Sequence, residues 1–256
     1  MKLLKNAALA ASLVLLNAGL FAITGTEIAE NSRNIPDPVS SHGAVKMDLI
    51  NASGDVDSRM VEEWTTEEGD LASTIMVFRS PASVANTRFL QKENDGRDDD
   101  KWIYLPALKR VRRIASSDGD KSFMGTDMTY DDMETREVEQ DNHELLGEET
   151  VGSWNCYKVK VTAKDPADSQ YSYKIAWYDK ESWYPVKVEM YDKNQALLKV
   201  MSVEDLKTVD GYLTPMSVYM ENVQENHATR VTMMKIVYDE PVNDRLFTTT
   251  FLEQGR

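Results

Sequence analysis

From Ala44 onward the chain alternates apolar and polar side chains with a period of two. Runs of this kind occupy 44–51, 58–65, 71–79, 87–92, 101–105 and 109–115, and recur in SWNCYKVKVTA, YSYKIAWYD, WYPVKVEMYD, ALLKVMSVED, GYLTPMSVYMEN and ATRVTMMKIVYD. Successive side chains of a strand point to opposite faces, so each run predicts a half-buried strand. Polar turns such as DKES, DKNQ and QENH separate them. The reading gives about eleven or twelve strands. Helical pattern is scarce. A short helix is expected at Thr26–Ser32, ended by Pro36 and Pro38, and others at 80–87 (SPASVANT), 125–134 (GTDMTYDDME) and in the C-terminal NDRLFTTTFLEQ. Helices do not alternate with strands, so the strands are antiparallel. A sheet this wide must curl to cover its apolar face and protect its edges. The expected fold is mainly β: one curved antiparallel sheet, an incomplete barrel, with a few helices plugging its concave face. No repeat or linker divides residues 23–256, which are read as one domain.

The N-terminus sets the compartment. MKLLKN is a short basic start and AALAASLVLLNAGLFA an uncharged apolar run, which together form a secretory signal peptide over residues 1–22. No Cys lies near the expected cleavage after Ala22, so lipidation is not expected, and the single Cys156 excludes an internal disulfide. The chain carries 43 acidic and 29 basic residues. Removing Lys2 and Lys5 with the signal leaves 27 − 43 = −16, which argues against nucleic acid as a partner. A monomer is expected.

Catalytic signatures are missing from the sequence. His42, His143 and His227 show no HxH or HExxH spacing and read as solvated loop residues. Cys156 stands in an alternating strand, where an inert buried thiol is expected. No GxSxG, SxxK or Gly-rich phosphate loop occurs. DGRDDD at 95–100 lacks the spacing of a calcium loop, and Asp127, Asp131 and Asp132 suit the first turn of a helix capped by Thr126 or Asp127. The reading assigns no catalytic residue, metal or cofactor.

What the chain offers is adaptable apolar surface. Met216, Val218 and Met220 share one strand face, as do Val231 and Met233, and Val186, Val188 and Met190. Thirteen methionines supply flexible, polarizable side chains that suit a surface repacking around varied acyl chains. The expected lining of an apolar cavity is Val45, Met47, Leu49, Ile75, Trp102, Tyr104, Met190, Met216, Met220 and Met233.

Residues 102–114, WIYLPALKRVRRI, place Lys109, Arg110, Arg112 and Arg113 within five positions. Trp102–Leu105 reads as a strand, Pro106 and Ala107 as a turn, and Lys109–Ile114 as the returning strand. Alternation puts Lys109, Val111 and Arg113 on one face and Arg110, Arg112 and Ile114 on the other. The wider segment KWIYLPALKRVRRIASSDGDKSFMGTDMTYDDM, residues 101–133, resembles a signature of outer-membrane lipoprotein-sorting proteins, whose fold is similar to that of the LolA and LolB carriers. The resemblance extends more weakly from about residue 30 to the C-terminus. It implies an incomplete β-barrel of about eleven antiparallel strands around a hydrophobic cavity lidded by helices. It further implies a periplasmic, non-catalytic carrier that binds acyl chains of lipids or lipoproteins and passes them between membranes. An inner-membrane transporter of the lipid-exporting type is the second expected partner. Carriers of this kind hold cargo with a basic residue inside the barrel, and Arg59 is the nearest candidate here. The basic hairpin has two readings. Its arginines either pair with Asp127, Asp131 or Asp132 and pin that segment as a lid, or they meet anionic head groups or an acidic transporter surface. The alternative to a carrier is a non-catalytic periplasmic adaptor or an accessory subunit of a membrane transporter.

Overall fold

The computed structural model describes residues 23–69 and 71–255. The expected signal peptide lies outside the described residues. A first helix, α1 (Gly25–Arg33), is followed by β1 (Ser40–Ile50), β2 (Val56–Glu68), β3 (Leu71–Ser80), β4 (Arg88–Lys92), β5 (Asp100–Leu105) and β6 (Arg110–Ile114). After a long crossing segment come β7 (Asp141–Val151), β8 (Trp154–Ala163), β9 (Tyr173–Asp179), β10 (Pro185–Tyr191), β11 (Leu197–Val209), β12 (Tyr212–Asn222), β13 (His227–Tyr238) and α2 (Thr249–Gln254). Thr24 caps α1 through a reciprocal box with Glu27, and Gly255, at φ 69°, ends α2 in the left-handed conformation that glycine adopts without steric penalty.

All thirteen strands form one open antiparallel sheet in the order β6-β5-β4-β3-β2-β1-β13-β12-β11-β10-β9-β8-β7. The chain begins its sheet in the middle, meanders out to β6, crosses to β7 at the opposite edge, and meanders back until β13 pairs with β1. The edges β6 and β7 do not pair, so the sheet is not a closed barrel.

The strand count exceeds the expected eleven or twelve because β7 was not anticipated. Its sequence, DNHELLGEETV, is exposed or half-exposed at every position. An edge strand with polar side chains on both faces carries no apolar alternation to read. Helix α1 packs against β7 so closely that a Cβ on Gly25 would lie 2.5 Å from the His143 carbonyl oxygen.

Register defines two faces. Val45, Val61, Phe78, Phe89 and Ile103 form one buried cluster on the inner face, with Phe123 and Tyr130 of the crossing segment added to it. On the outer face, Ile75, Val77 and Leu90 pack with Trp64, Trp102 and Tyr104 beneath Phe247 and Leu252 of the C-terminal segment. Because both faces are covered there, β4 is buried at three consecutive positions. That is the pattern of a strand with no solvent side.

Helices contribute less than expected. Residues 81–86, after the end of β3, form a bend and turns, and 125–134 is an irregular stretch with a single 3-10 turn at Asp131–Met133. Thr129 and Asp132 bond reciprocally there, each backbone N–H donating to the other's side chain at 2.9 and 3.1 Å. Short local bonds of this kind compete with helix formation. The apolar cluster of the inner face is therefore covered by a strap, residues 115–140, that holds short 3-10 turns but no α-helix.

Candidate functional site

The strap runs from one sheet edge to the other and is held at intervals. Its apolar part is a knot of rings: Phe123 lies 5.0 Å from Phe89, 5.8 Å from Tyr130 and 6.0 Å from Phe78 between centroids. Burying one such ring contributes roughly 1.5–3 kcal/mol. Its polar anchors come from five strands. Arg59 on β2, only 11% exposed, donates to the Met124 carbonyl and pairs with Asp57 at 3.1 Å. Gln91 on β4 donates to the Met133 carbonyl at 3.1 Å, and Lys101 on β5, 4% exposed, pairs with Glu134 and lies 3.7 Å from Asp131. On β13, Thr229 and His227 hold the Asp127 carboxylate at 2.7 and 2.8 Å. Lys199 on β11 meets Asp132 at 2.9 Å, and Tyr171 donates to the same carboxylate at 2.7 Å.

These anchors also report the curvature. Seven strand spacings of about 4.8 Å would place β5 and β11 about 34 Å apart on a flat sheet. Consecutive residues Asp131 and Asp132 reach Lys101 on one strand and Lys199 on the other, so the sheet curls around the strap.

A cleft of about 1580 Å³ opens beside the strap, lined by the end of α1, Glu67, Glu68, Gly69 and Leu71, the 94–99 loop, strap residues between 116 and 140, and residues of 167–174. Thirteen of its lining residues are acidic and four are cationic, so its walls are polar. Burial pushes Asp99 up to about 6, with Glu134 and Glu93 adding to the shift against the Gln91 hydrogen bond. Burial likewise raises Asp131, partly offset by Lys101. For Asp132 burial acts in the same direction, but Lys199 and the Thr129 N–H outweigh it and hold the carboxyl below its ordinary value. Burial raises the Tyr171 hydroxyl, and Asp132 beside it adds to the effect.

The expected cavity residues do not share one surface. Val45, Met47 and Leu49 are buried in the inner cluster, with Met233 against it. Met190 and Met220 join Tyr171 and the strap's Met128 in a second inner cluster. Met216 is half-buried on β12. Ile75, Trp102 and Tyr104 lie on the outer face under the C-terminal segment, because residues one position out of step point to the other side of the sheet. None of the ten lines the cleft.

The hairpin arginines also have other partners than expected. Arg112 pairs with Asp118 at 2.7 Å and Arg113 with Asp100, while Asp127, Asp131 and Asp132 are taken by His227, Lys101 and Lys199. Lys109 belongs to the turn, at φ 49°, since Leu105 pairs with Arg110 across a four-residue connection. Arg110 is exposed. All three histidines stand in strands: His42 bonds Glu62 at 2.8 Å and stacks on Trp64, His227 holds Asp127, and His143 keeps a buried Nδ1 without a hydrogen-bond partner. Cys156 is 1% exposed, and burial pushes its thiol up to about 11.

Comparison with known proteins places this architecture. A family model described as "uncharacterized protein" matches residues 70–254. The chain belongs to that family. Its fold is LolA-like. A protein described as an outer membrane lipoprotein-sorting domain from Vibrio parahaemolyticus superposes with a TM-score of 0.84 at 29% identity, over 90% of this chain and 98% of that one. A DUF1329 family protein from Desulfovibrio piger matches equally, at TM-score 0.84 and 28% identity over 89% and 97%. A LolA superfamily protein from Nitrosomonas europaea, at TM-score 0.69 and 18% identity over 90% and 100%, shares the fold. No curated protein matches the chain.

Within this LolA-like fold, the residues that sequence reasoning missed are Lys101, Lys174, Lys199, Tyr171 and Thr229. One signal was available. Lys174 and Lys199 occupy inward positions in step with Ala176 on β9 and with Met201 and Val203 on β11. A lysine in the apolar phase of a strand needs a partner.

Proposed function

We propose that the protein is a periplasmic carrier that binds the acyl chains of lipids or lipoproteins on its inner face and passes them between membranes, with the strap as the displaceable cover. The observation that carries the reading is the strap itself. A large apolar part of the inner face is covered by an irregular segment fastened by separate polar contacts. Release of one segment from its contacts is an established mode of protein switching, and a strap fastened at separate points suits it. The names of the neighbouring lipoprotein-sorting and LolA superfamily proteins support the same reading. Cargo would take the place of Phe123, Met124 and Met128 against the sheet.

The second reading, an adaptor beside a membrane transporter, draws on the acid-rich walls of the cleft, which suit a cationic protein surface better than an acyl chain. Lipid analysis by mass spectrometry of protein purified from the periplasm separates the two. The carrier reading expects a copurifying amphiphile, up to one per chain, and uptake of a fluorescent acyl probe by the delipidated protein. Protein free of lipid that also takes up no probe would overturn it and favour the adaptor.

A further inference from the structure

The strap lies over a transverse row of inner-face side chains. Cross-strand register places Lys174 beside Met190, Met190 beside Lys199, Lys199 beside Asn222 and Asn222 beside His227. Two basic side chains of the row meet a strap carboxylate: His227 with Asp127 at 2.8 Å and Lys199 with Asp132 at 2.9 Å. The third does not. Among the described residues, Lys174 makes no hydrogen bond or salt bridge; its ammonium sits 5.2 Å from the centroid of the Tyr171 ring. Burial lowers its pKa; Asp132 and Asp141 oppose that shift from a distance, and Arg136 and Lys199 add to it. Asp132 is already bonded to Lys199, to the Tyr171 hydroxyl and to the Thr129 N–H. Three cations, Lys174, Lys199 and Arg136, stand around two carboxylates, Asp132 and Asp141, which are bonded to Lys199 and Arg136, so one positive charge is left without a direct partner. A half-buried charge without a direct partner is unfavourable unless something completes it. Lys174 also lines the 1580 Å³ cleft, so that partner can arrive from solvent.

We propose that Lys174 receives the oxyanion, phosphate or carboxylate, of an amphiphile whose apolar part reaches under the strap to the inner face. The ligand supplies the carboxylate-like contact that the strap provides to Lys199 and His227 but not to Lys174. Carboxylates around the cleft disfavour multiply charged anions, which selects a single oxyanion on an apolar body. This inference rests on the carrier reading and adds a point of head-group recognition to it.

The test compares the mature chain with Lys174→Met, titrated with three amphiphiles of one tail length below their micelle concentrations: dodecanoate, dodecylphosphocholine and dodecyl maltoside. The wild type is expected to bind at least one oxyanion probe about tenfold tighter than the maltoside, as a charge-assisted hydrogen bond contributes. The variant should lose that preference, keep its maltoside affinity, and melt no lower, since a half-buried charge without a direct partner has been removed. Whether carboxylate or phosphate binds tighter identifies the source of the oxyanion. A preference that survives in Lys174→Met overturns the inference. So does a wild type that binds all three alike, an outcome that leaves the carrier reading standing. If no amphiphile binds, the carrier reading fails, and Lys174 is decided separately by nuclear magnetic resonance of its ammonium during titration with inorganic phosphate. A shift with phosphate but not chloride upholds the oxyanion site, and no shift overturns it.

Discussion

The strap meets the two halves of the sheet by different physics. Against β1–β6 it is mainly a hydrophobic plug, with Arg59, Gln91 and Lys101 as polar anchors beside it: Phe123 is fully buried among Phe78, Phe89 and Tyr130, and the strands below contribute Val45, Val61 and Ile103. Against β11–β13 it is held by charge and hydrogen bonds, with Asp127 and Asp132 buried against His227, Thr229, Lys199 and Tyr171. Dispersion and hydrophobic contacts lose energy gradually as surfaces part. A buried ion pair is unfavourable as soon as one partner leaves without replacement. The ring side therefore sets how firmly the strap is seated, and the charged side sets where it sits.

The comparison breaks first at the ring side. Phe123→Ala empties a site with 0% exposure and should destabilise the fold by about 3–5 kcal/mol, read from denaturant unfolding. A loss below about 1 kcal/mol would mean that the strap is not seated there in solution. On the charged side, Asp132→Ala leaves Lys199 buried beside Lys174 and should lower stability by about 3 kcal/mol. Adding Lys199→Met should restore most of that loss, whereas in Phe123→Ala, where Asp132 remains, the same second change should cost about 3 kcal/mol more. Equal rescue of both variants would show that the halves are not held independently.

How much of this was legible follows from where each signal resides. Period-two alternation located twelve of the thirteen strands because half-buried strands write their environment into neighbouring residues. It failed for β7, whose two polar faces leave no alternation, and it could not separate the inner Val45 from the outer Ile75 because parity within a strand does not say which face is the concave one. The strap was misread as helix from its threonines and acids. Those residues serve partners far off in sequence, His227 for Asp127 and Lys199 for Asp132, and only topology brings them together. The basic hairpin drew attention by its density of charge, yet its arginines found partners nearby, in Asp100 and Asp118.

A subtler contrast concerns pH. Glu63 stands on the inner face of β2 opposite Gly43, and burial pushes it up to about 7 from 4.5. A carboxyl whose folded pKa is raised binds its proton more tightly when folded, so its contribution to stability is full below pH 4.5 and is lost as pH rises through 7. Glu63 remains partly open to solvent, so the effect should be about 1 kcal/mol. Glu63→Gln should flatten the fall in melting temperature between pH 4.5 and 7. An unchanged slope would assign that fall to other carboxylates, with Asp99, raised to about 6, the first to examine.

The smallest expected change in stability lies outside the comparison, at the β5–β6 hairpin. Arg112 and Arg113 pair with Asp118 and Asp100 at side-chain exposures of 57% and 63%, and ion pairs so exposed contribute about 0.2–1 kcal/mol each. Arg97 also bonds Asp100 at 2.6 Å, so Arg113 is not that carboxylate's sole support. Reversing Arg110 and Arg113 to Glu should therefore move the unfolding midpoint little. If the hairpin meets anionic head groups or an acidic transporter surface, the same variant should lose binding to vesicles containing phosphatidylglycerol or to the transporter, and the remaining binding should depend less on salt. Reversing Lys193 and Lys207 makes an equal change in net charge at exposed sites away from the hairpin. Equal losses in the two variants would reduce the hairpin to a contributor to overall charge, while a collapse in stability confined to the arginine variant would show that its exposed pairs hold the edge of the sheet.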